Sequence, residues 1–129
     1  SHPSLCTAEW ITAGLARGER YFICRVDGRA AGCVAYEDPG SRIAFLNRLA
    51  VLPAHQGQGV GKALVAHVIH LAEKDGKKRV NIGIIKSHTR LRNWYKGLGF
   101  RPSGSRTFDH LPFDVLFMTC DVGTGRSAP

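Results

Sequence analysis

No apolar run in this chain approaches the ~18–20 residues that cross a bilayer, and Ser1-His2-Pro3-Ser4 is too polar to begin a secretory signal. The four cysteines, Cys6, Cys24, Cys33 and Cys120, form no C-x-x-C pair. Cys24 and Cys33 lie in apolar, strand-like surroundings and read as buried free thiols, with a zinc site or a disulfide framework as the alternative. Together these absences lead to the expectation of a soluble, cytoplasmic protein. No internal repeat and no linker divides the sequence. Its 129 residues suffice for one domain over 1–121 with one core, followed by a Gly/Ser-rich tail over 122–129. A hydrophobic fraction of 43% belongs to a globular chain rather than a disordered one.

Acidic residues are few: 10 against 18 Lys and Arg, a formal net charge of +8. Such a surface suits a polyanion, and equally a ligand that carries phosphates. The densest cluster, Lys74-Asp75-Gly76-Lys77-Lys78-Arg79, falls at an expected helix end, where the dipole favours cations. The interleaved aromatic and basic residues of a single-strand binder are missing, so nucleic-acid binding rests on charge alone. A polycationic acceptor would meet repulsion here, since such substrates usually dock in acidic clefts.

What the chain does have is Arg48 to Val65, which reads as strand, glycine turn and helix. Leu46 to Leu52 is apolar enough for a largely buried strand, and Pro53 ends it. Gly57, Gly59 and Gly61 recur at every second residue, and helical periodicity runs from Lys62 to Lys74. A glycine turn opening a helix gathers free N–H groups and the positive end of the dipole at one point, a site for phosphate oxygens. A turn without a ligand is the plain alternative. The loop is not G-x-x-x-x-G-K-[ST], because Ala63 follows Lys62 and no Mg²⁺-binding hydroxyl is present. Its glycine spacing is also wrong for G-x-G-x-x-G.

In chain order, Thr7 is placed to cap a helix over Ala8–Arg17, with Trp10, Ile11 and Leu15 on one side and Gly18 as the stop. Strands are expected at Tyr21–Val26 and Ala30–Tyr36 around an Asp27-Gly28 hairpin turn, then at Ile43–Leu52. A fourth, Arg79–Ile85, follows the helical crossover and should lie parallel to the third. A short helix over Thr89–Gly97 and strands at Phe100–Thr107 and Phe113–Asp121 complete the order.

Gln56-x-x-Gly59-x-Gly61 resembles the Q/R-x-x-G-x-G/A signature of the GCN5-related N-acetyltransferases, the GNAT superfamily. Tyr95-Lys96-Gly97-Leu98-Gly99-Phe100 resembles that family's Y-x-x-x-G-F segment, in the same order around an intervening helix and strand. The resemblance is close over Ile43–Phe100 and looser over Tyr21–Asp121. It implies an α/β fold with a mixed, mostly antiparallel twisted sheet, one splayed parallel strand pair and flanking helices. Such domains usually open with a strand and a helix ahead of the element at Ala8–Arg17, and that N-terminal pair is expected to be missing here.

The resemblance further implies acetyl transfer from acetyl-CoA to a primary amine by direct attack in a ternary complex. The acceptor is a small-molecule amine or a protein amine. The alternative is a non-catalytic acyl-CoA sensor. Backbone groups of Gln56, Gly57, Gln58, Gly59, Val60, Gly61 and Lys62 would take the pyrophosphate. The edge at Leu49, Ala50 and Val51 would pair with the pantetheine amides, and the N–H of Ala50 or Val51 would stabilise the oxyanion. Tyr95 would touch the cofactor and act as general acid, since a phenol near pKa ~10 suits a departing thiolate better than a carboxylic acid does. Packing beside Trp94, itself read as a core residue, is the other reading of Tyr95. His88 stands where many members of the family carry an asparagine that contacts the cofactor; it either keeps that contact or caps the helix. Glu37, at a strand end, is a general base or a solvated turn residue. His110, in the apolar segment Phe108–Phe113, is the second base candidate; that segment would line the acceptor pocket or join a homodimer interface. His55 is expected to be exposed and without a catalytic role, and no metal site is indicated.

Overall fold

The structure, a computed structural model, describes the backbone of residues 9–16 and all of residues 19–123. The first element among the described residues is a strand, β1 (Glu9–Ala16), not the helix expected over Ala8–Arg17; the Thr7 cap lies outside the described residues. Trp10, Ile11 and Thr12 favour a pleated surface, and Gly14 is a poor helix residue. The spacing of Trp10, Ile11 and Leu15 fits either state, so pairing with a neighbouring strand decides. β1 runs antiparallel to β2 (Glu19–Val26), from Glu9 opposite Arg25 to Ala16 opposite Glu19, with an irregularity between Thr12 and Gly14.

β2 turns into β3 (Arg29–Glu37) through Asp27 and Gly28, whose φ values of 54° and 77° are those of a two-residue hairpin matched to strand twist. β4 (Ile43–Val51) returns antiparallel to β3. A single 3-10 turn, Pro53–His55, leads to α1 (Val60–Lys74). Then come β5 (Arg79–Ile85), α2 (Thr89–Gly97), β6 (Arg101–Thr107) and β7 (Asp114–Asp121). The seven strands form one sheet in the order β1-β2-β3-β4-β5-β7-β6, antiparallel except where β4 meets β5. Neither helix is long and apolar enough to cross a membrane among the described residues.

The core lies between α1 and the sheet. Val60, Leu64, Val65, Val68 and Ala72 put one buried stripe of α1 against alternate residues of the strands, among them Val34, Tyr36, Ala44, Leu46, Val80 and Ile82. Burial of a Leu or Val side chain of this kind is worth about 1.5–3 kcal/mol. Residues 37, 45 and 47, alternating with that set, point to the sheet face away from α1. β6 is exposed along its whole length at the sheet edge, and its Arg, Ser and Pro residues discourage further strand pairing. Val122, placed in the tail by its composition, is buried and donates its N–H to the Lys78 carbonyl at 2.8 Å. Among the described residues Cys24, Cys33 and Cys120 form no disulfide; Cys24 and Cys120 are buried, Cys33 is only half-buried, and burial pushes the Cys24 thiol up.

Two polar ties fix the end of α1 to the strands. Tyr36, fully buried, donates its hydroxyl to Asp75 at 2.7 Å. Lys77, also buried, donates to Asp38 Oδ1 and to the Ser41 carbonyl, both at 2.6 Å. The Lys77 hydrogen bond holds the Asp38 carboxyl below its usual range, so this tie is present above the ordinary Asp pKa and lost as pH falls. Lys77→Ala should therefore cost about 2 kcal/mol in urea denaturation at neutral pH, and the deficit should shrink in acid. A deficit equal at both pH values would assign it to lost packing alone.

Candidate active site

β4 and β5 pair over three residues only: Ile43 with Arg79, Ala44 with Val80, and Phe45 with Asn81. Beyond them β5 stays with β7 as far as Ile85 opposite Val115, while β4 stays with β3 as far as Val51 opposite Gly32. A wedge opens between Leu46–Val51 and Ile82–Ile85, and along it no strand among the described residues pairs with the β4 edge. Such an edge presents N–H and C=O groups that an extended ligand can use. Within the wedge Leu49 and Val51 are half-buried and Ala50 is exposed.

A bulge bends β4 at this point. Asn47 faces Ala35 and Ala50 faces Cys33, so Arg48 and Leu49 oppose a single residue of β3. Arg48 has φ 53°, a left-handed conformation uncommon for a side-chain-bearing residue. A polar cluster clamps it. Arg48 donates from one guanidinium nitrogen to both Glu19 oxygens at 3.0 Å and to the Tyr21 hydroxyl at 2.6 Å. Tyr21 donates to Glu19 Oε1 at 3.0 Å. Asn47 spans the two carboxylates, donating to Glu19 Oε2 at 3.3 Å and to Glu37 Oε1 at 2.8 Å. The Tyr21 hydrogen bond, with help from Asn47 and Arg48, holds Glu19 below the usual carboxylate range, and Glu19 in turn raises the Tyr21 phenol.

The glycine loop sits at the open end of the wedge. Gln56 donates its side-chain amide to the Val51 carbonyl at 3.2 Å, and half-buried His55 meets Gln58 at 3.2 Å. Gly57 and Gly59 have φ values of 78° and 86°, and Gly59 is the N-cap of α1. The first intrahelical bond runs from the Ala63 N–H to the Gly59 carbonyl, no side chain caps the helix and no acidic residue stands in its first turn. The N–H groups of Val60, Gly61 and Lys62 thus have no intrahelical partner. The Gln56 N–H is committed to the Pro53 carbonyl at 3.3 Å, so the candidate donors for a pyrophosphate are these three and the exposed backbone of Gly57, Gln58 and Gly59.

α2 closes the other side. His88 is its N-cap, accepting the Leu91 N–H on Nδ1 at 3.2 Å, so the capping reading of this residue is realised; the ring is exposed, with Nε2 left over. Tyr95 is 4% exposed, between Trp94 and Phe100 at ring distances of 4.9 and 5.4 Å. Burial pushes its phenol up to about 12. Trp94, read from sequence as a core residue, is the more open of the two at 37%. Its indole reaches the first turn of α1, where a methyl group on Gly61 would lie 3.3 Å from Cζ2 and 3.6 Å from Val51 Cγ2.

The wedge, the loop and α2 thus bring Leu49–Val51, Gln56–Lys62 and Trp94 close together, while Tyr95, beside Trp94, is buried. Glu37 lies at the end of β3, tied to the β4 bulge through Asn47. His110 is exposed in the β6–β7 connection, where its ring meets Phe108 of the same segment at 5.8 Å.

A profile of the acetyltransferase (GNAT) family matches residues 1–100. The chain belongs to this family. An uncharacterized N-acetyltransferase of Methanocaldococcus jannaschii is 28% identical over 101 residues, covering 72% of this chain and 45% of that relative, so the chain spans about half of its length. Among solved structures, a GNAT acetyltransferase of Elizabethkingia anophelis with acetyl-CoA bound superposes with a TM-score of 0.80 at 20% identity, covering 90% of this chain and 97% of that one. Nourseothricin acetyltransferase superposes at 0.74 with 25% identity, covering 81% of this chain and 65% of that one. The mixed sheet with one splayed parallel pair is the family's fold, as the two motifs imply.

Sequence reading missed Glu19, Tyr21, Asn47 and Arg48. None belongs to a motif, and only the register of β2, β3 and β4 brings them together. The clamp yields a test. Gly adopts a positive φ freely, whereas Ala at this position is strained by about 1 kcal/mol. Both substitutions remove the guanidinium, so Arg48→Gly should be more stable than Arg48→Ala by about that amount in urea denaturation. The opposite order would mean that the bulge relaxes once the side chain is gone.

Proposed function

We propose that this domain transfers an acetyl group from acetyl-CoA to a primary amine by direct attack within a ternary complex. The observation that carries this reading is the uncapped α1 N-terminus at the mouth of the β4–β5 wedge. It supplies donors for a pyrophosphate and an unpaired strand edge for an amide-bearing arm in one continuous opening. When bound, acetyl-CoA supplies an activated acetyl group and a thiol leaving group.

This chain's residues divide the rest. The backbone of Gly57 to Lys62 binds the pyrophosphate, Gln56 ties that loop to the end of β4, and the Leu49–Val51 edge orients the pantetheine arm. The N–H of Ala50 or Val51 faces the negative charge that develops on the carbonyl oxygen. Glu37, hydrogen-bonded to Asn47, takes the proton of the acceptor ammonium, directly or through water. Tyr95, kept protonated by its burial, donates to the sulfur as it leaves. His88 can still offer Nε2 to the ligand. His110 is a weaker base candidate than Glu37, because nothing in its surroundings ties it to β4. The acceptor is a small amine or a protein amine; the Glu37–Asn47–Glu19 cluster favours one that arrives as a cation.

Two substitutions test the assignment. Gly59→Asp puts a carboxylate at the pyrophosphate site in a residue type that tolerates the left-handed region better than most. CoA affinity measured by calorimetry should fall at least ~100-fold while circular dichroism stays near that of the parent. Unchanged affinity would remove the loop from the site. Tyr95→Phe should lower kcat by about 100-fold with little change in CoA affinity.

The same variant has a pH signature. The Tyr95 phenol titrates near 10 in the unfolded chain and at about 12 in the folded one, so its contribution is intact below pH ~10 and lost as pH rises toward 12. Tyr36 is raised as well, by burial first and by its bond to Asp75 second, so alkaline loss should persist in part. Tyr95→Phe should unfold less steeply with pH between about 10 and 12 than the parent. Identical alkaline profiles would show that Tyr95 is not buried in solution.

A further inference from the structure

We infer that Trp94 forms the aromatic wall of the cofactor channel and braces the two arms of the wedge, so that Gly61 is small to admit its indole as well as to free a phosphate-binding N–H. The inference rests on the CoA-binding reading of the wedge and adds a residue to it.

Three observations carry it. First, Trp94 belongs to α2, which follows β5, yet its indole lies against Gly61 in the first turn of α1, the helix that follows β4, and Val51 of β4 borders the same glycine. It is a side-chain contact across a gap in which the strands themselves no longer pair. Second, more than a third of the side chain is exposed while its neighbour Tyr95 is buried. A core tryptophan would show the reverse, so part of this large apolar surface is left facing open space at the ligand's entrance. Third, the fit at Gly61 is tight. A methyl group there would lie 3.3 Å from Cζ2 and 3.4 Å from Cη2, a tight approach that the indole must relieve by a few tenths of an ångström. The glycine therefore answers to a neighbour, whereas Gly59 answers to its positive φ.

Two roles follow from this placement. By bridging α2 and the first turn of α1, Trp94 sets the width of the opening between the pyrophosphate donors and Tyr95. By presenting an apolar face beside Val51, it offers the uncharged pantetheine arm a surface that excludes water. Trp94 is then a binding and positioning residue, with no part in proton transfer. Its loss should raise the KM for acetyl-CoA more than it lowers kcat.

The test uses the chain's two tryptophans. With Trp10→Phe as background, Trp94 is the sole indole, and its emission reports on the channel without any turnover. Titration with CoA should change that emission in a saturable way, with the same midpoint as calorimetry. Trp94→Ala should weaken CoA about tenfold and Trp94→Phe much less, since a phenyl ring keeps part of the wall. Gly61→Ala, in the absence of CoA, should shift the Trp94 emission maximum, because the methyl group moves the ring. Flat emission at saturating CoA, or parent-like affinity in Trp94→Ala, overturns the wall while leaving the CoA site intact. An unshifted maximum in Gly61→Ala overturns the brace. A parent chain that binds no CoA overturns this inference together with the site on which it rests.

Discussion

The constraint on which the rest depends is the separation of β4 from β5 after three paired residues. A sheet that continued to pair there would satisfy its own backbone and leave nothing for a ligand. Each arm has a reason to leave. β4 carries a bulge at Arg48 and Leu49, which increases local twist and bends the strand toward β3. β5 is held by β7 along its whole length. The open edge persists because α1 seals the sheet face beneath it, with Leu64, Val65 and Val68 spanning β3, β4 and β5. The wedge is thus a hole in the hydrogen bonding that does not become a hole in the core.

The polar residues around the wedge are distributed by the sheet's alternation. On the face toward α1, Tyr36 and Lys77 are buried and pinned by Asp75 and Asp38. On the opposite face, Glu19, Tyr21, Glu37, Asn47 and Arg48 form a connected cluster next to the bulge. The first group holds elements together at the end of the sheet away from the opening. The second borders the unpaired part of β4, and the left-handed Arg48 is kept in place by it. A strained residue at a site is informative because the surroundings have to over-determine it.

Much of this is legible in the sequence, because the elements that build the wedge are strongly patterned. The glycine loop, α1, the parallel β5 and α2 follow from glycine spacing, helical periodicity and the crossover rule. Two family motifs then fix their joint meaning. What could not be read has physical causes. Trp10, Ile11 and Leu15 suit one face of a helix and one side of a strand alike, and only pairing with β2 settles the state of β1. Trp94 and Tyr95 are adjacent aromatics, and a one-residue step around a helix of 3.6 residues per turn exchanges buried for exposed. The Glu19 clamp depends on strand register, which no local pattern encodes. His88 realises its capping reading through Nδ1, a reading already open in the sequence.

The strand order also bears on how the molecule assembles. β1 to β4 form a meander in which each strand pairs with its neighbour in sequence, so short loop closures suffice to build that half. The other half is less local: β7, last in the chain, must enter between β5 and β6, and the halves join through the short parallel contact and α1. Contacts of long sequence separation form late in a domain of mixed topology. The meander can therefore stand as an early unit that already contains the bulge, the Glu19 clamp and Glu37. The opening itself comes into being only when the C-terminal half docks, so the polar clamp is complete before the wedge beside it exists.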